Sequence, residues 1–287
     1  MFRTGVFFSL ALFVFGPLWA QTVTPVSGSE AGFLANAYVV TSESGVVVID
    51  TLFIQSDINR LISAVEATAK PLKAIVITHP HPDHYNGIYG LLQKFPGTPV
   101  YASQATIDGI HETAEPKRAF WKPQYGAEYP EQTAFPDQVW ANGESIRIVD
   151  IEFRLENLGP GEASDTNVLY LPQSQALFVG DLVYNQLHPW LAEGRSREWL
   201  QSLQHLQSQF PQVKTLYPGH GLPGGKELLE AQMGYIRDFQ AKVKALGQNE
   251  LSESETEALV RVMQSEYPHF GLAMLLAWNI QAVHAEK

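Results

Sequence analysis

The sequence predicts an α/β fold built as one compact unit, and three observations carry that reading. Short β-branched runs alternate with amphipathic helical stretches, the pattern of sheets covered by helices. Of 287 residues, 45% are hydrophobic and 17% charged, an ordinary globular balance with material for a sizeable core. α/β chains of this length often form a single domain.

The elements follow in order. Tyr38-Val39-Val40 and Val46-Val47-Val48-Ile49, separated by a polar turn ending in Gly45, read as a hairpin. A helical pattern spans about Ser56 to Ala69 and stops before Pro71, whose ring disfavours helix at the preceding residue. Ala74 to Ile77 is the next strand, running to about Thr78, and Pro80 and Pro82 oppose a helix just beyond it. Between Thr113 and Pro136 four prolines and five aromatics with little periodicity predict a long surface loop. Further strands are expected at Val168–Leu171, Ala176–Val179 and Val213–Tyr217, with helices between and after them.

From Glu227 to Leu246, Leu229, Ile236, Phe239, Val243 and Leu246 recur at helical spacing. Ser252 followed by Glu255 has the form of a capping box opening a helix towards Met263, and a last apolar helix is expected from Leu272 to Val283. Residues 226–287 thus read as a helical extension of a core spanning about 30–225, within one domain of residues 21–287.

Residues 1–20 form a separate segment. Arg3, the apolar run Val6–Phe15, the helix breakers Gly16-Pro17 and the small residue Ala20 before Gln21 have the pattern of a secretory signal peptide. The run is shorter than the roughly 18 residues of a membrane span, so a periplasmic or secreted protein with no stable membrane anchor is expected. Cysteine is absent, which removes both disulfides and thiolate metal ligands. The net charge of −11 becomes −12 once Arg3 is lost, 18 basic against 30 acidic side chains, and repels phosphodiester backbones. A small-molecule substrate is expected rather than a nucleic acid, and oligomeric state is not encoded in any recognisable feature.

The most informative run is His79-Pro80-His81-Pro82-Asp83-His84, placed directly after a strand. Residues i and i+2 of an extended segment point the same way, so His79 and His81 can share one metal while the chain turns to aim Asp83 and His84 at another. Asp181 and His220 also sit just beyond apolar strand candidates, where loops at one end of a sheet could gather all of them. A solvated histidine-rich loop is the plainer alternative for such a run.

His-x-His-x-Asp-His, then Phe178-Val179-Gly180-Asp181, then Pro218-Gly219-His220-Gly221 resembles the metallo-β-lactamase superfamily, from about Asn36 to Leu222. The resemblance implies a four-layer αβ/βα sandwich with one or two Zn2+ ions, two being the expectation, at one edge of its sheets. His79 and His81 would bind the first ion, Asp83, His84 and His220 the second, and Asp181 would bridge them. Most members supply a third histidine to the first ion, where this chain has Glu162 in Gly159-Pro160-Gly161-Glu162-Ala163-Ser164-Asp165. A carboxylate is a legitimate zinc ligand, and alkyl sulfatases of the superfamily resemble this chain in using one there. The plain alternative makes Glu162 a solvated loop residue, with Asp165 the nearest substitute.

Asp50 resembles the family aspartate that steadies the histidine loop, although a simple turn aspartate reads equally well. His188, seven residues after Asp181, is a candidate proton donor or substrate ligand beside Asp83, with an exposed surface histidine as the alternative. His111, His205, His269 and His284 have no supporting motif and read as structural.

The constellation implies metal-assisted hydrolysis of an ester, lactone, thioester or amide-type bond, since zinc lowers the pKa of bound water to roughly 7. β-Lactamase activity is the runner-up, and alkyl sulfate hydrolysis and a non-catalytic zinc-binding role are the further alternatives. The superfamily's flavin-linked diiron oxidoreductases usually have glutamate where this chain has His81, and they carry a flavin domain that is missing here.

Overall fold

In the computed structural model, which describes residues 21–286, the chain builds two sheets packed face to face with helices on both outer surfaces. The first half contributes β1 (Thr22–Ser27), β2 (Asn36–Thr41), β3 (Val46–Ile49), α1 (Gln55–Ala67), β4 (Leu72–Val76), α2 (Pro82–Tyr85), α3 (Ile88–Lys94), β5 (Val100–Ala102), α4 (Gln104–Tyr125) and β6 (Gln138–Val139). The second contributes β7 (Ser145–Ile148), β8 (Ile151–Gly159), β9 (Thr166–Leu171), β10 (Ala176–Tyr184), α5 (Ser196–Gln209), β11 (Thr215–His220), α6 (Glu227–Ala245), α7 (Glu253–Glu266) and α8 (Leu276–Ala285). One sheet runs β1 to β6 in sequence order, the other β11-β10-β9-β8-β7.

Period-two alternation explains why the central strands are apolar on both faces. Tyr38, Val40, Val47 and Ile49 point between the sheets to meet Phe153, Leu155, Leu169 and Phe178. Their neighbours Val39, Val48 and Ile75 face outward onto Ile58 and Leu61 of α1, Leu91 of α3 and Ile110 of α4. On the far side Leu177 and Val179 share a cluster with Leu203 of α5, Ile236 and Phe239 of α6, Met263 of α7 and Ile280 of α8. The C-terminal helices are therefore the fourth layer of the sandwich rather than an appendage. Ser252 accepts from the Glu255 backbone N–H, and the Glu255 side chain returns to the Ser252 N–H, so the expected capping box opens α7.

Three expectations are corrected. The stretch from Thr113 to Pro136 is helical as far as Tyr125, despite Pro116 and Pro123. Ser103 caps α4 by accepting from the Thr106 N–H, and Thr106, Ile107, Ile110 and Ala114 bury one stripe. Both prolines lie on the exposed side, where water satisfies the carbonyls they leave unpaired. Trp121 and Tyr125 fasten the end of the helix by packing on Phe53 at 5.8 and 5.0 Å between ring centroids. Pro82 likewise does not oppose a helix: it occupies the first turn of α2, where its missing N–H costs nothing, and β4 ends at Val76 rather than Thr78.

The predicted leader, residues 1–20, lies outside the described residues. Among the described residues, no helix is long and apolar enough to cross a membrane.

Candidate metal centre

The site lies at the sheet edge where β3, β4, β10 and β11 all end. His79 and His81 occupy the extended segment after β4, and His81 has the β conformation (φ −101°, ψ 143°) that suits a residue preceding proline. The turn of α2 then presents Asp83 and His84. Asp181 sits inside β10, and His220 closes β11. The two sheets are clasped here. Asn36 Nδ2 donates to Pro218 O at 3.0 Å and Gly221 O at 2.7 Å, and the Tyr38 hydroxyl donates to Pro218 O at 2.6 Å.

Glycines let the strands approach this closely. A Cβ on Gly219 would stand 1.9 Å from Asp181 Oδ1, so no side chain fits there. Gly180 takes φ +48° at a register shift between β10 and β11, which turns the following Asp181 carboxylate towards the histidines.

Each histidine has one ring nitrogen anchored and the other aimed inward, the arrangement that metal-binding imidazoles require. Asp50 accepts from the Thr78 N–H at 2.9 Å, from the Thr78 hydroxyl at 2.8 Å and from His84 Nδ1 at 2.9 Å. Thr78 Oγ1 in turn holds His79 Nδ1 at 2.9 Å, so one buried carboxylate steadies two imidazoles. His220 Nδ1 donates to Phe33 O at 2.8 Å. His81 is reversed, with Nε2 at 3.2 Å from Glu193 Oε1 and Nδ1 facing the site.

The inward atoms fall into two groups that share Asp181. His79, His81, Glu162 and Asp181 form one, Asp83, His84, Asp181 and His220 the other, and within each the donor atoms all lie within 4.8 Å of one another. Nearest separations are 3.1 Å for His81 Nδ1–Glu162 Oε1, 3.7 Å for His79 Nε2–Asp181 Oδ2, 3.1 Å for His84 Nε2–Asp181 Oδ1 and 3.1 Å for His220 Nε2–Asp181 Oδ2, with Asp83 Oδ2 3.4 Å from His220 Nε2. Donors sharing a tetrahedral zinc at 2.0–2.1 Å stand about 3.3 Å apart, so the spacing fits. His79 Nε2, His84 Nε2, both Glu162 oxygens and Asp181 Oδ1 are buried without a hydrogen-bond partner. Such atoms are costly unless an ion satisfies them.

Glu162 is 1% exposed, which removes the solvated-loop alternative. Asp165 is excluded as a substitute because hydrogen bonds saturate it: Ser103 Oγ donates at 2.7 Å, Thr106 Oγ1 at 2.8 Å and Asn167 Nδ2 at 3.0 Å, with Asn157 Nδ2 as a further donor.

The electrostatics follow from burying seven charged or chargeable groups together. Burial, the largest influence on Glu162, raises its carboxyl to about 7. Burial lowers His79 well below the imidazole range, and neighbouring His84 adds to the effect. For His81 and His220 burial, the largest single influence, acts in the same direction, but Glu162 with Glu193 and Asp181 with Asp83 respectively outweigh it together and carry each ring to about 9. Burial opposes ionisation of Asp181, yet His220 and His84 hold it well below the carboxylate range.

The chain matches the family model of the metallo-beta-lactamase superfamily over residues 31–220. It belongs to that superfamily. This superfamily member is a metal-dependent hydrolase, and the sandwich and the order of its site motifs agree with that membership. A metallo-beta-lactamase type 2 of Elizabethkingia meningoseptica is 23% identical over 74% of this chain and 79% of its own length. A linear primary-alkylsulfatase of a Pseudomonas strain is 23% identical over 71% of this chain but only 45% of its own length. The solved metallo-beta-lactamase from Pontibacter korlensis superposes with a TM-score of 0.60 at 23% identity, covering 76% of this chain and all of the other.

His188 is not at the site. It is fully buried beneath the C-terminal helices, its Nδ1 is 2.7 Å from the Tyr235 hydroxyl, and Tyr235, Tyr267 and Phe270 surround the ring. The sequence places it near Asp181, but the chain leaves the sheet edge after β10 and takes His188 into the helical layer. Burial lowers its pKa to about 4, against 6.5 in the unfolded chain. The unfolded chain thus takes up a proton that the fold refuses, so stability is unaffected above pH 6.5 and falls as pH drops towards 4. Between pH 6.5 and 4.5 the loss is on the order of 2 kcal/mol. His188→Gln should flatten that part of the pH dependence of the urea midpoint, and equal slopes in both proteins would contradict the assignment.

Three residues near the two donor groups escaped sequence reasoning. The Tyr184 hydroxyl donates to Asp181 Oδ2 at 2.5 Å and its ring stacks on His220 at 4.4 Å between centroids. Glu193 meets His81, and the Lys117 ammonium donates to Pro80 O at 3.2 Å. Tyr184 was readable as the third residue after Asp181 on an apolar strand. Lys117 was hidden by the misread helix α4.

Proposed function

We propose that this chain is an exported hydrolase that holds two zinc ions and cleaves an ester, lactone, thioester or amide-type bond of a small molecule. The observation that carries the reading is the pair of four-donor groups sharing Asp181 at the floor of a cleft. His79, His81 and Glu162 would hold one ion, Asp83, His84 and His220 the other, with Asp181 between them. Zinc supplies Lewis acidity that polarises a carbonyl and brings the pKa of water down to roughly 7.

The chain's own groups do the rest. Asp83 is the one ligand with a partly exposed side chain, 15%, and His84 and His220 keep it ionised against the cost of burial. It is placed to accept a hydrogen bond from the attacking water and fix its direction. Tyr184, whose phenol burial keeps protonated, holds Asp181 in place through its hydroxyl. Lys117 is the one lysine or arginine lining the cleft and supplies positive charge for an anionic product. The cleft is concave and lined mainly by aromatic and apolar side chains around a few polar groups, which suits a small molecule.

A second reading, hydrolysis of an alkyl sulfate, is supported by Glu162 and by the alkylsulfatase relative. β-Lactam hydrolysis is supported by the names of the other relatives. Turnover of a panel of esters, lactones, thioesters, β-lactams and alkyl sulfates by zinc-loaded protein separates these readings. No turnover of any member by protein carrying two zinc equivalents would leave a non-catalytic zinc-binding role.

Export rests on the pattern of residues 1–20. Cleavage after Ala20 would leave β1 whole, since that strand begins at Thr22. The mature protein should begin at Gln21 by intact mass, and a mature chain that retains residues 1–20 would contradict this.

A further inference from the structure

The cleft does not end at the ions. On one wall Trp121 packs on Phe33 at 5.4 Å and Phe53 at 5.8 Å. The facing wall is Trp190 against Trp278, 5.8 Å between centroids at 75°, backed by Leu272 and Leu275. Trp121, Trp190 and Trp278 also line a second, shallower stretch that continues outward past Phe120 and Ala282. Phe120 is 54% exposed and Trp278 46%, an arrangement that costs solvation unless something covers it.

Polarity is divided along this groove. Asp83, Lys117, Glu162, Asp181 and Glu193 all lie at the inner end, whereas no charged side chain lines the outer stretch. A polar substituent placed there would lose water and gain few partners, and an apolar one would gain the full benefit of burial. Trp278, Leu272 and Leu275 lie beyond residue 220, outside the part of the chain that matches the family model.

Building on the hydrolase reading, we propose that the groove between Trp121 and the Trp190–Trp278 pair binds a linear aliphatic chain, so that the substrates are amphiphiles whose reacting group lies at the metal ligands and whose tail runs outward. Each buried methylene contributes about fourfold to kcat/KM or to affinity, so an octanoyl chain should exceed an acetyl chain by at least about 100-fold.

Two measurements on the full-length mature protein test this. With zinc-loaded enzyme, kcat/KM for p-nitrophenyl acetate, butyrate and octanoate should climb with chain length, and Trp190→Ala and Trp278→Ala should each cut the octanoate-to-acetate ratio by tenfold or more. Independently of turnover, tryptophan fluorescence titrated with acetate, butyrate, octanoate and decanoate below their micellar concentrations should show affinity rising with length, an increase lost in Trp278→Ala. Chain-length binding without turnover of any ester, lactone, thioester, β-lactam or alkyl sulfate would uphold the groove and overturn the hydrolase reading. Ester turnover with no dependence on chain length in either measurement would overturn the groove and leave the hydrolase reading intact. A dimer that dissociates in Trp278→Ala, with flat chain-length profiles, would assign the face to a second copy of the chain and overturn the proposal.

Discussion

Asp83→Ala should lower hydrolytic turnover by on the order of 10³-fold or more while the far-ultraviolet circular dichroism and urea midpoint stay close to those of the parent. The two halves of this expectation have separate physical origins. Asp83 Oδ2 lies 3.6 Å from His84 Nε2 and 3.4 Å from His220 Nε2, so the carboxylate belongs to the second donor group, and its side chain is the most exposed of the seven. On the proposed reading, its removal would take away both a ligand and the acceptor for the attacking water. The loss of 10³-fold corresponds to about 4 kcal/mol of transition-state stabilisation.

Stability rests elsewhere, in the three apolar clusters on and between the sheets, and Asp83 belongs to none of them. Steady-state kinetics beside a denaturation curve decides the matter. Parental turnover in Asp83→Ala would remove this residue from the mechanism, and a collapsed fold would make it a structural ligand instead.

Much of this site was legible in the sequence because its ligands cluster. His79 to His84 lie in one short run, extended as far as His81 and then turning into α2, and Asp181 and His220 are marked by glycines that the close approach of strands demands. The central strands were legible for a similar reason, as their β-branched runs are buried on both faces. The hidden features are those in which tertiary packing overrides a local signal. Proline marked α4 as a loop, yet its capped and apolar first half holds the helix together, with Phe53 anchoring its far end. His188 stood close to Asp181 in sequence and was carried away by the path of the chain into the helical layer. The aromatic groove was invisible for another reason. Trp121, Trp190 and Trp278 come from three distant segments, and nothing local distinguishes a groove-lining tryptophan from a core one such as Trp199.

The second large effect concerns Glu162, the residue in which this chain departs from the histidine usual in its superfamily. Its two oxygens are buried and unpartnered, facing His79 Nε2 at 3.7 Å and His81 Nδ1 at 3.1 Å. Burial, partly offset by His81, raises its pKa to about 7, a cost that a divalent cation removes by holding the carboxylate ionised. Loss of a group that merely orients a ligand weakens metal binding about 10–100-fold, so loss of the ligand itself should exceed that. Glu162→His is not expected to restore the parent, because it removes the negative charge that offsets the ion and leaves a larger, neutral ring in a packed site. The neighbouring Gly161 shows how close that packing is, since a Cβ there would already lie 2.9 Å from Leu182 Cδ2.

The central claim, that Glu162 completes a first metal site sharing Asp181 with a second, is tested most directly by counting zinc at equilibrium. Parent and Glu162→Ala are equilibrated at the same pH and the same buffered free zinc, and bound metal is measured by elemental analysis. The account predicts two equivalents in the parent falling towards one in Glu162→Ala, with the remaining ion held by Asp83, His84, Asp181 and His220. Equal stoichiometry and equal affinity in the two proteins would contradict it.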